Sequence, residues 1–341
     1  MSFKNIVKYR NVWMGIAILW IVLFHSGVNI NNELLAFIKK IGYGGVDIFL
    51  LASGIGCYYS LEKDDDIFNF MRRRVLRIIP TYWIFMFGWA LYHRLNGGIS
   101  LRAILGNFLC IRNFTHLGGD FNWYMSAMWL MYLLAPLFKS MVDKITSILK
   151  VVFVIGFFVL FSACFWNSEI YIITITRIPI FFVGMYIGKL AWNNVHVTKK
   201  DVIISLIAVP IGFGMLLRWM GLHTDDLWQK GYYWYPFILI TPGLCMVISI
   251  IIMLLKGRIK DVIEKLLGVI GDFSFEIYLL HIWFFEILEY NLIANGVVQD
   301  NRMVWMVAML AVVPSAIILR QIKNIVMKCL EIFEKRTKVI S

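Results

Sequence analysis

The chain has 341 residues, of which 60% are hydrophobic and only 16% charged, with a formal net charge of +12 and a mean hydropathy of +0.75. This composition lies far outside the range of soluble globular domains and marks a polytopic membrane protein. The positive charge does not call for nucleic acid, because the basic residues are dispersed over the gaps between apolar runs, where anionic lipid accounts for them. Five cysteines (Cys57, Cys110, Cys164, Cys245 and Cys329) show no CxxC or metal-ligand spacing, so neither a disulfide framework nor a metal site is expected.

In chain order, apolar runs predict spans near 12–30, 42–61, 78–93, 123–138, 148–166, 171–190, 202–220, 235–255, 269–289 and 303–320. With the N-terminus in the cytoplasm, 24 of the 33 Lys and Arg residues fall on the inner side. That bias supports an all-α protein of about ten transmembrane helices with both termini cytoplasmic. The first run is too long, and too lightly flanked, for a cleaved signal peptide. No linker, low-complexity tract or soluble-sized hydrophilic block interrupts the chain, so residues 1–341 read as a single membrane domain. The two halves show no matching broken helices of the kind found in inverted-repeat transporters.

Four segments carry residues suited to chemistry. In WMGIAILWIVLFHSGV, His25 is an ionisable group within an apolar run, a costly placement that points to function. A helix from residue 12 to 30 would set it ~20 Å from the inner end and ~8 Å from the outer end. The next run opens as GYGGVDIFLLASG, and a hairpin between the two would bring Asp47 toward His25 as a carboxylate orienting a base. A buried pair that merely satisfies itself is the plainer alternative.

FMRRRVLRIIPTYW follows at the predicted inner end of the third span. Arg74 and Arg77, three apart, and Arg73 and Arg77, four apart, would share a helix face able to clamp a phosphate-rich ligand. A positive-inside anchor is the alternative. Pro80 suits a first helical turn or a bend. In FNWYMSAMWLMYLLAPL, Trp123, Tyr124, Trp129 and Tyr132 lie at an outer boundary, where an aromatic belt is the ordinary explanation. Finally, Arg177 enters the sixth span from the outer side. Ser274, Glu276, Tyr278 and His281 lie on the ninth, where a helix-packing hydrogen bond is the alternative for His281.

Taken together these segments resemble the acyltransferase family 3 membrane proteins, ten-span enzymes that O-acetylate bacterial surface polysaccharides and related glycans. GIAILWIVLFH is similar to the family's first-span histidine segment and GVDIFLLASG to its Gly-Val-Asp-Ile-Phe-Phe-x-x-Ser-Gly segment. RRRVLRIIPTYW resembles its Arg-x-x-Arg-Ile-x-Pro-x-Tyr segment. WYMSAMWLMYLLAP, RIPIFFVGMYIG and SFEIYLLH follow in the same order, so the resemblance spans nearly the whole chain. Two positions depart from it. Met14 stands where the family often has an arginine eleven residues before the histidine, with Arg10 four residues earlier. Met128 stands where many members carry a glutamate five residues after the residue aligned with Trp123.

The resemblance implies an O-acyltransferase of the bacterial cytoplasmic (inner) membrane. It would move an acyl group, acetyl by default, from cytoplasmic acyl-CoA to a hydroxyl of a surface glycan or its lipid-linked precursor, with no metal. In that scheme Arg72, Arg73, Arg74 and Arg77 hold the nucleotide phosphates. His25 is general base or acyl carrier, and Asp47 orients it. Arg177 or Ser53 stabilises the oxyanion or binds acceptor, and Trp123, Tyr124, Tyr278 and His281 contribute to the substrate site. Two readings compete with it. One is a proton-coupled transporter or flippase of a polar lipid-linked sugar, using His25, Asp47 and His281 as a relay. The other is a catalytically silent scaffold.

Overall fold

The computed structural model of the chain describes residues 1–96, 98–115, 123–222 and 225–340. All regular structure among them is helical. The helices are α1 (Phe3–Val7), α2 (Arg10–His25), α3 (Glu33–Lys40), α4 (Gly45–Lys63), α5 (Ile67–Leu95), α6 (Leu101–Phe108) and α7 (Arg112–Thr115). After them come α8 (Trp123–Asp143), α9 (Ile148–Ser162), α10 (Glu169–Ile175), α11 (Ile178–Trp192), α12 (Lys199–Met220) and α13 (Asp225–Gln229). The chain continues through α14 (Phe237–Leu254), α15 (Gly257–Asp272), α16 (Ser274–Glu286), a π-helical turn at Ile287–Ile293 and α17 (Arg302–Ile340).

Among the described residues, eight helices are long and apolar enough to cross a membrane, and a ninth crossing is made if α15 and α16, bent by 67° at Phe273, count as one. The first expected span, 12–30, falls on α2, which is apolar but only 16 residues long. Its helix stops at His25, not near residue 30, because Ser26 turns into extended backbone. His25 is therefore the last helical residue of a rod ~24 Å long. The ninth expected span, 269–289, is longer and broken: the bent pair runs from Gly257 to Ile293. Residues 257–272, most of them between the expected eighth and ninth spans, form α15, with a bend before α16.

Four helix starts among the described residues are fixed by side-chain caps, Asn32 on α3, Asp66 on α5, Ser100 on α6 and Thr198 on α12. Asp66 accepts from Asn69 N at 2.6 Å to start α5, so the arginine run 72–77 is helical and Pro80 lies inside the helix and not in its first turn. Thr198 and Asp201 form a reciprocal capping box at the start of α12.

The centre of the bundle is α4 against α11, and it is made possible by glycine. A Cβ at Gly54 would collide with Phe181 O and one at Gly184 with Leu51 O, so the two backbones touch. α2 packs in the same way against α15, with Gly15 on Leu267 and Gly271 on Asn11. These contacts bury α4, from Ile48 to Leu61, in a core with Phe138, Phe181, Phe182 and Met185.

One end of the bundle gathers the N-terminus and the start of α2. There Phe3 N bonds Val195 O and Val197 N bonds Met1 O, both at 2.9 Å. Asn11 bonds Asp272 at 2.5 Å, and Arg320 bonds Glu276. This is the Arg10 end. α3 and His25 lie at the opposite end.

Candidate active site: a cationic cavity and a histidine pair

A cavity of about 360 Å³ opens at the Arg10 end between α2, α4, α5, α8, α16 and α17. Its depth is ordered by the helices that line it. Arg10, Gly56, Arg74, Arg77, Asp272, Arg320 and Lys323 belong to the mouth. Met14, Ser53, Ile78, Met128 and Tyr132 come one turn deeper, and Phe49, Met125, Tyr124 and Tyr278 stand at the inner limit. Gly56 serves this packing directly, since a Cβ there would press against the Arg10 guanidinium at 3.3 Å.

The mouth is cationic beyond what its carboxylates balance. Arg320 is committed to Glu276 by two bonds, at 2.8 and 2.6 Å, and lies on the Phe273 ring. Asp272 accepts from Asn11. Among the described residues, Arg10, Arg74, Arg77 and Lys323 have no carboxylate in ion-pair range. Arg74 is buried between the Phe70 and Tyr132 rings, at 5.1 and 5.6 Å, with one bond to Gly56 O and its Nε unpartnered. A buried guanidinium with donors to spare is suited to a phosphate.

The expected four-arginine clamp is thus split by helix geometry. Arg74 and Arg77, one turn apart, reach the cavity. Arg73 points elsewhere, pairing with Asp64 at 2.5 Å and bonding Ser60, and it holds the Asp64 carboxyl below its ordinary range. Arg72 is exposed and does not line the cavity.

His25, at the end of α2, meets His281, midway along α16, a helix far from it in sequence. His281 is fully buried on α16, and its Nδ1 lies 3.1 Å from Ile277 O and 2.7 Å from Tyr278 O. Carbonyl oxygens only accept, so His281 carries its proton on Nδ1 and presents the Nε2 lone pair. That Nε2 lies 3.1 Å from His25 Nδ1, which is also 3.1 Å from Ile21 O. Both neighbours are acceptors, so His25 in turn holds its proton on Nδ1. Its Nε2 is left as a bare lone pair on an exposed side chain. Two backbone carbonyls thereby fix the tautomer of a base two residues away in the chain of bonds.

Asp47 does not orient His25. It stands in the first turn of α4, 3.5 Å from Arg177 Nε, with both groups 1% exposed. Neither carboxylate oxygen is hydrogen-bonded among the described residues. Arg177 donates to Ile173 O at 2.8 Å and is sandwiched between Trp123 and Trp234, 4.9 and 5.3 Å from their ring centres. Trp123 accordingly packs on a buried cation instead of serving an aromatic belt. The role the sequence assigned to Asp47, support of His25, falls to His281, and the physical reason is direction: the Asp47 side chain points into the α4–α11 packing.

The remaining expected residues lie between these two centres. Tyr278 lines the cavity and touches both His281 and Tyr124, with ring centres 5.7 and 5.0 Å apart. Ser53 lines the cavity one turn above Gly56, with Oγ 3.4 Å from the Tyr132 hydroxyl. Arg10, Arg320 and Lys323 at the mouth were not assigned roles from sequence. For Arg320 and Lys323 the sequence signal was a basic residue at a helix end, shared by many positive-inside anchors, and for Arg10 its place four residues before the family's arginine position. Met14 and Met128, which depart from the family pattern, both line the cavity wall.

Comparison with curated proteins and with solved structures returned no match. A family model described as an acyltransferase domain matches residues 9–321, from the start of α2 to the point where Arg320 closes the mouth. This all-α, multi-pass membrane chain, with its histidine pair and cationic cavity, belongs to the acyltransferase 3 family.

Proposed function

We propose that this protein transfers an acyl group, acetyl by default, from cytoplasmic acyl-CoA to a hydroxyl of a surface glycan or its lipid-linked precursor, in the bacterial cytoplasmic membrane. The observation that carries the reading is the contact of His25 Nδ1 with His281 Nε2 and Ile21 O, both at 3.1 Å, which assigns the proton to Nδ1 and leaves Nε2 free to take one at the end of the bundle opposite the cationic mouth. The excess of basic residues in loops on the Arg10 end supports placing that end in the cytoplasm.

In this scheme Arg10, Arg74, Arg77 and Lys323 neutralise the phosphates of the donor. The pantetheine arm follows the cavity past Ser53 and Met128 toward Tyr278. The acceptor hydroxyl approaches from the His25 end. His25 Nε2 takes its proton as the oxygen attacks the thioester carbonyl, and the new C–O bond replaces the C–S bond. The CoA thiolate leaves and recovers the proton. While His25 is protonated, the His281 Nε2 lone pair accepts its Nδ1–H and stabilises the charge. Tyr124 and Tyr278 stand between cavity and histidines, so joining donor and base requires those two rings to part.

Purified protein in liposomes, given radiolabelled acetyl-CoA and a crude surface-glycan fraction, tests this. Label in glycan that disappears in His25→Ala supports it. Proton-gradient-dependent movement of a sugar lipid without thioester consumption would replace it with the transporter reading.

A further inference from the structure

At the His25 end lies a second space, a groove of about 610 Å³ lined by Phe24, Gly27 to Ile30, Ala36, Lys39, Lys40 and Asp300. Phe24 separates it from the base, the Phe24 ring meeting the His25 imidazole edge-on with centres 4.7 Å apart. Gly27 is required by its closeness to Trp305, whose indole any Cβ there would overlap. Asp300, the carboxylate on the lining, accepts from Trp305 Nε1 at 2.8 Å. Lys39 and Lys40 carry no ion pair among the described residues.

The wall that bears these lysines is α3, a helix with three distinct faces. Phe37 anchors it to the small core around Tyr43 and Trp234, and the Trp20 indole bonds Ile38 O at 2.6 Å. Ala36, Lys39 and Lys40 face the groove. Leu34, Leu35 and Ile38 remain outside, 66%, 52% and 38% exposed. With these apolar side chains turned outward and its lysines on another face, this eight-residue helix has the pattern suited to a bilayer interface. His25 sits at the end of a rod ~24 Å long, short of the ~30 Å hydrocarbon thickness. An acceptor hydroxyl must therefore reach ~6 Å below the outer hydrocarbon boundary, just beneath the interface.

From this juxtaposition we infer that the groove binds the acceptor, and that the acceptor is a lipid-linked glycan whose phosphate is held by Lys39 and Lys40. The inference rests on the acyltransferase reading and narrows its acceptor. The lipid lies along the apolar face of α3, the phosphate meets the two ammonium groups, and the sugar hydroxyls fall beside His25. A free polysaccharide uses neither the apolar sill nor the cations.

The test uses the full chain in phosphatidylcholine vesicles with radiolabelled acetyl-CoA. One arm offers the organic-solvent extract of lipid-linked oligosaccharides from bacterial membranes, and another offers water-soluble polysaccharide. A third offers the extract after mild acid has removed the lipid phosphate. Label is expected in the intact extract and not in the other two. Lys39→Gln/Lys40→Gln is expected to raise the acceptor KM about tenfold, with Lys39→Arg/Lys40→Arg restoring it. Equal labelling of soluble polysaccharide, or an unchanged acceptor KM in the Gln variant, overturns the inference. So does equal labelling of the acid-treated extract, or Lys-dependent stimulation by any anionic phospholipid, which would assign the lysines to bulk headgroups. CoA release is followed in parallel. Its His25-dependent appearance keeps the acyltransferase reading standing when the inference fails, and its absence in every arm overturns both.

Discussion

The His281 imidazole stands behind that of His25, Nε2 to Nδ1 at 3.1 Å, and is itself tied to the Ile277 and Tyr278 carbonyls. The pair therefore works as one unit, in which the buried ring sets the proton position of the exposed one. Replacing His25 by Ala is expected to lower kcat by about 10²–10⁴-fold, the usual worth of a positioned general base. His281→Ala is expected to lower kcat by about 10²-fold with little change in donor KM, because the base survives but loses its tautomer and its support. His281→Gln, which keeps an acceptor on the side chain, should recover part of the loss. A purely structural role would instead lower protein yield and thermal stability in both variants alike. Steady-state kinetics beside a detergent melting curve separates the two.

The arginine run makes a sharper prediction because its members differ in direction. Arg74→Ala and Arg77→Ala are expected to raise the acyl-CoA KM by about 10–100-fold, the loss of one or two charge-assisted bonds to phosphate. Arg72→Ala, exposed and off the cavity, should change it less than twofold. Equal effects at all three positions would show that diffuse surface charge, and not the cavity, attracts the donor. Titrating CoA against each variant by calorimetry reads this without turnover.

The apolar runs, the span order and His25 itself were legible in the sequence, because lipid imposes long apolar stretches and makes an ionisable residue within them conspicuous. Asp47 was misread for a reason that lies in helix geometry. Chain adjacency put it near His25, but the side chain's direction is set by the glycine-mediated contact of α4 with α11, to which sequence spacing gives no access. The His25–His281 pair joins positions 256 residues apart, and no local pattern announces it. Likewise the split of Arg73 from Arg74 needs Asp64, in the connection between α4 and α5, to be in place.

Asp47 and Arg177 form a fully buried pair, and breaking one side is expected to be costly. Asp47→Ala leaves a guanidinium between two indoles without its counter-charge and should destabilise the fold by about 3–5 kcal/mol. The double variant Asp47→Ala/Arg177→Met removes both charges and is expected to recover most of that loss, since well-packed apolar replacements of buried pairs are often neutral. Thermal melting in detergent, followed by the change in Trp123 and Trp234 fluorescence, checks this. A double variant as unstable as the single one would show that Arg177 contributes through its stacking and not through its charge.

The contact between α4 and α11 gives the last prediction. Gly54 lies on Phe181 O and Gly184 on Leu51 O, so neither site has room for a methyl group without separating two backbones. Gly54→Ala or Gly184→Ala is expected to cost about 1–3 kcal/mol as an overpacking change, and Val at either site should cost more. The consequence extends to chemistry, because α4 also carries Phe49, Ser53 and Gly56 on the cavity wall and Asp47 in its first turn. Shifting α4 away from α11 pushes it toward the cavity. The donor KM should therefore rise together with the fall in melting temperature. Gly214, with nothing within 4 Å of its Cβ position, is the matched control. Gly214→Ala adds a better helix former at no steric cost and should leave donor KM unchanged and the melting temperature unchanged or raised. Equal losses at Gly54 and Gly214 would mean that helix propensity, not backbone contact, governs the effect.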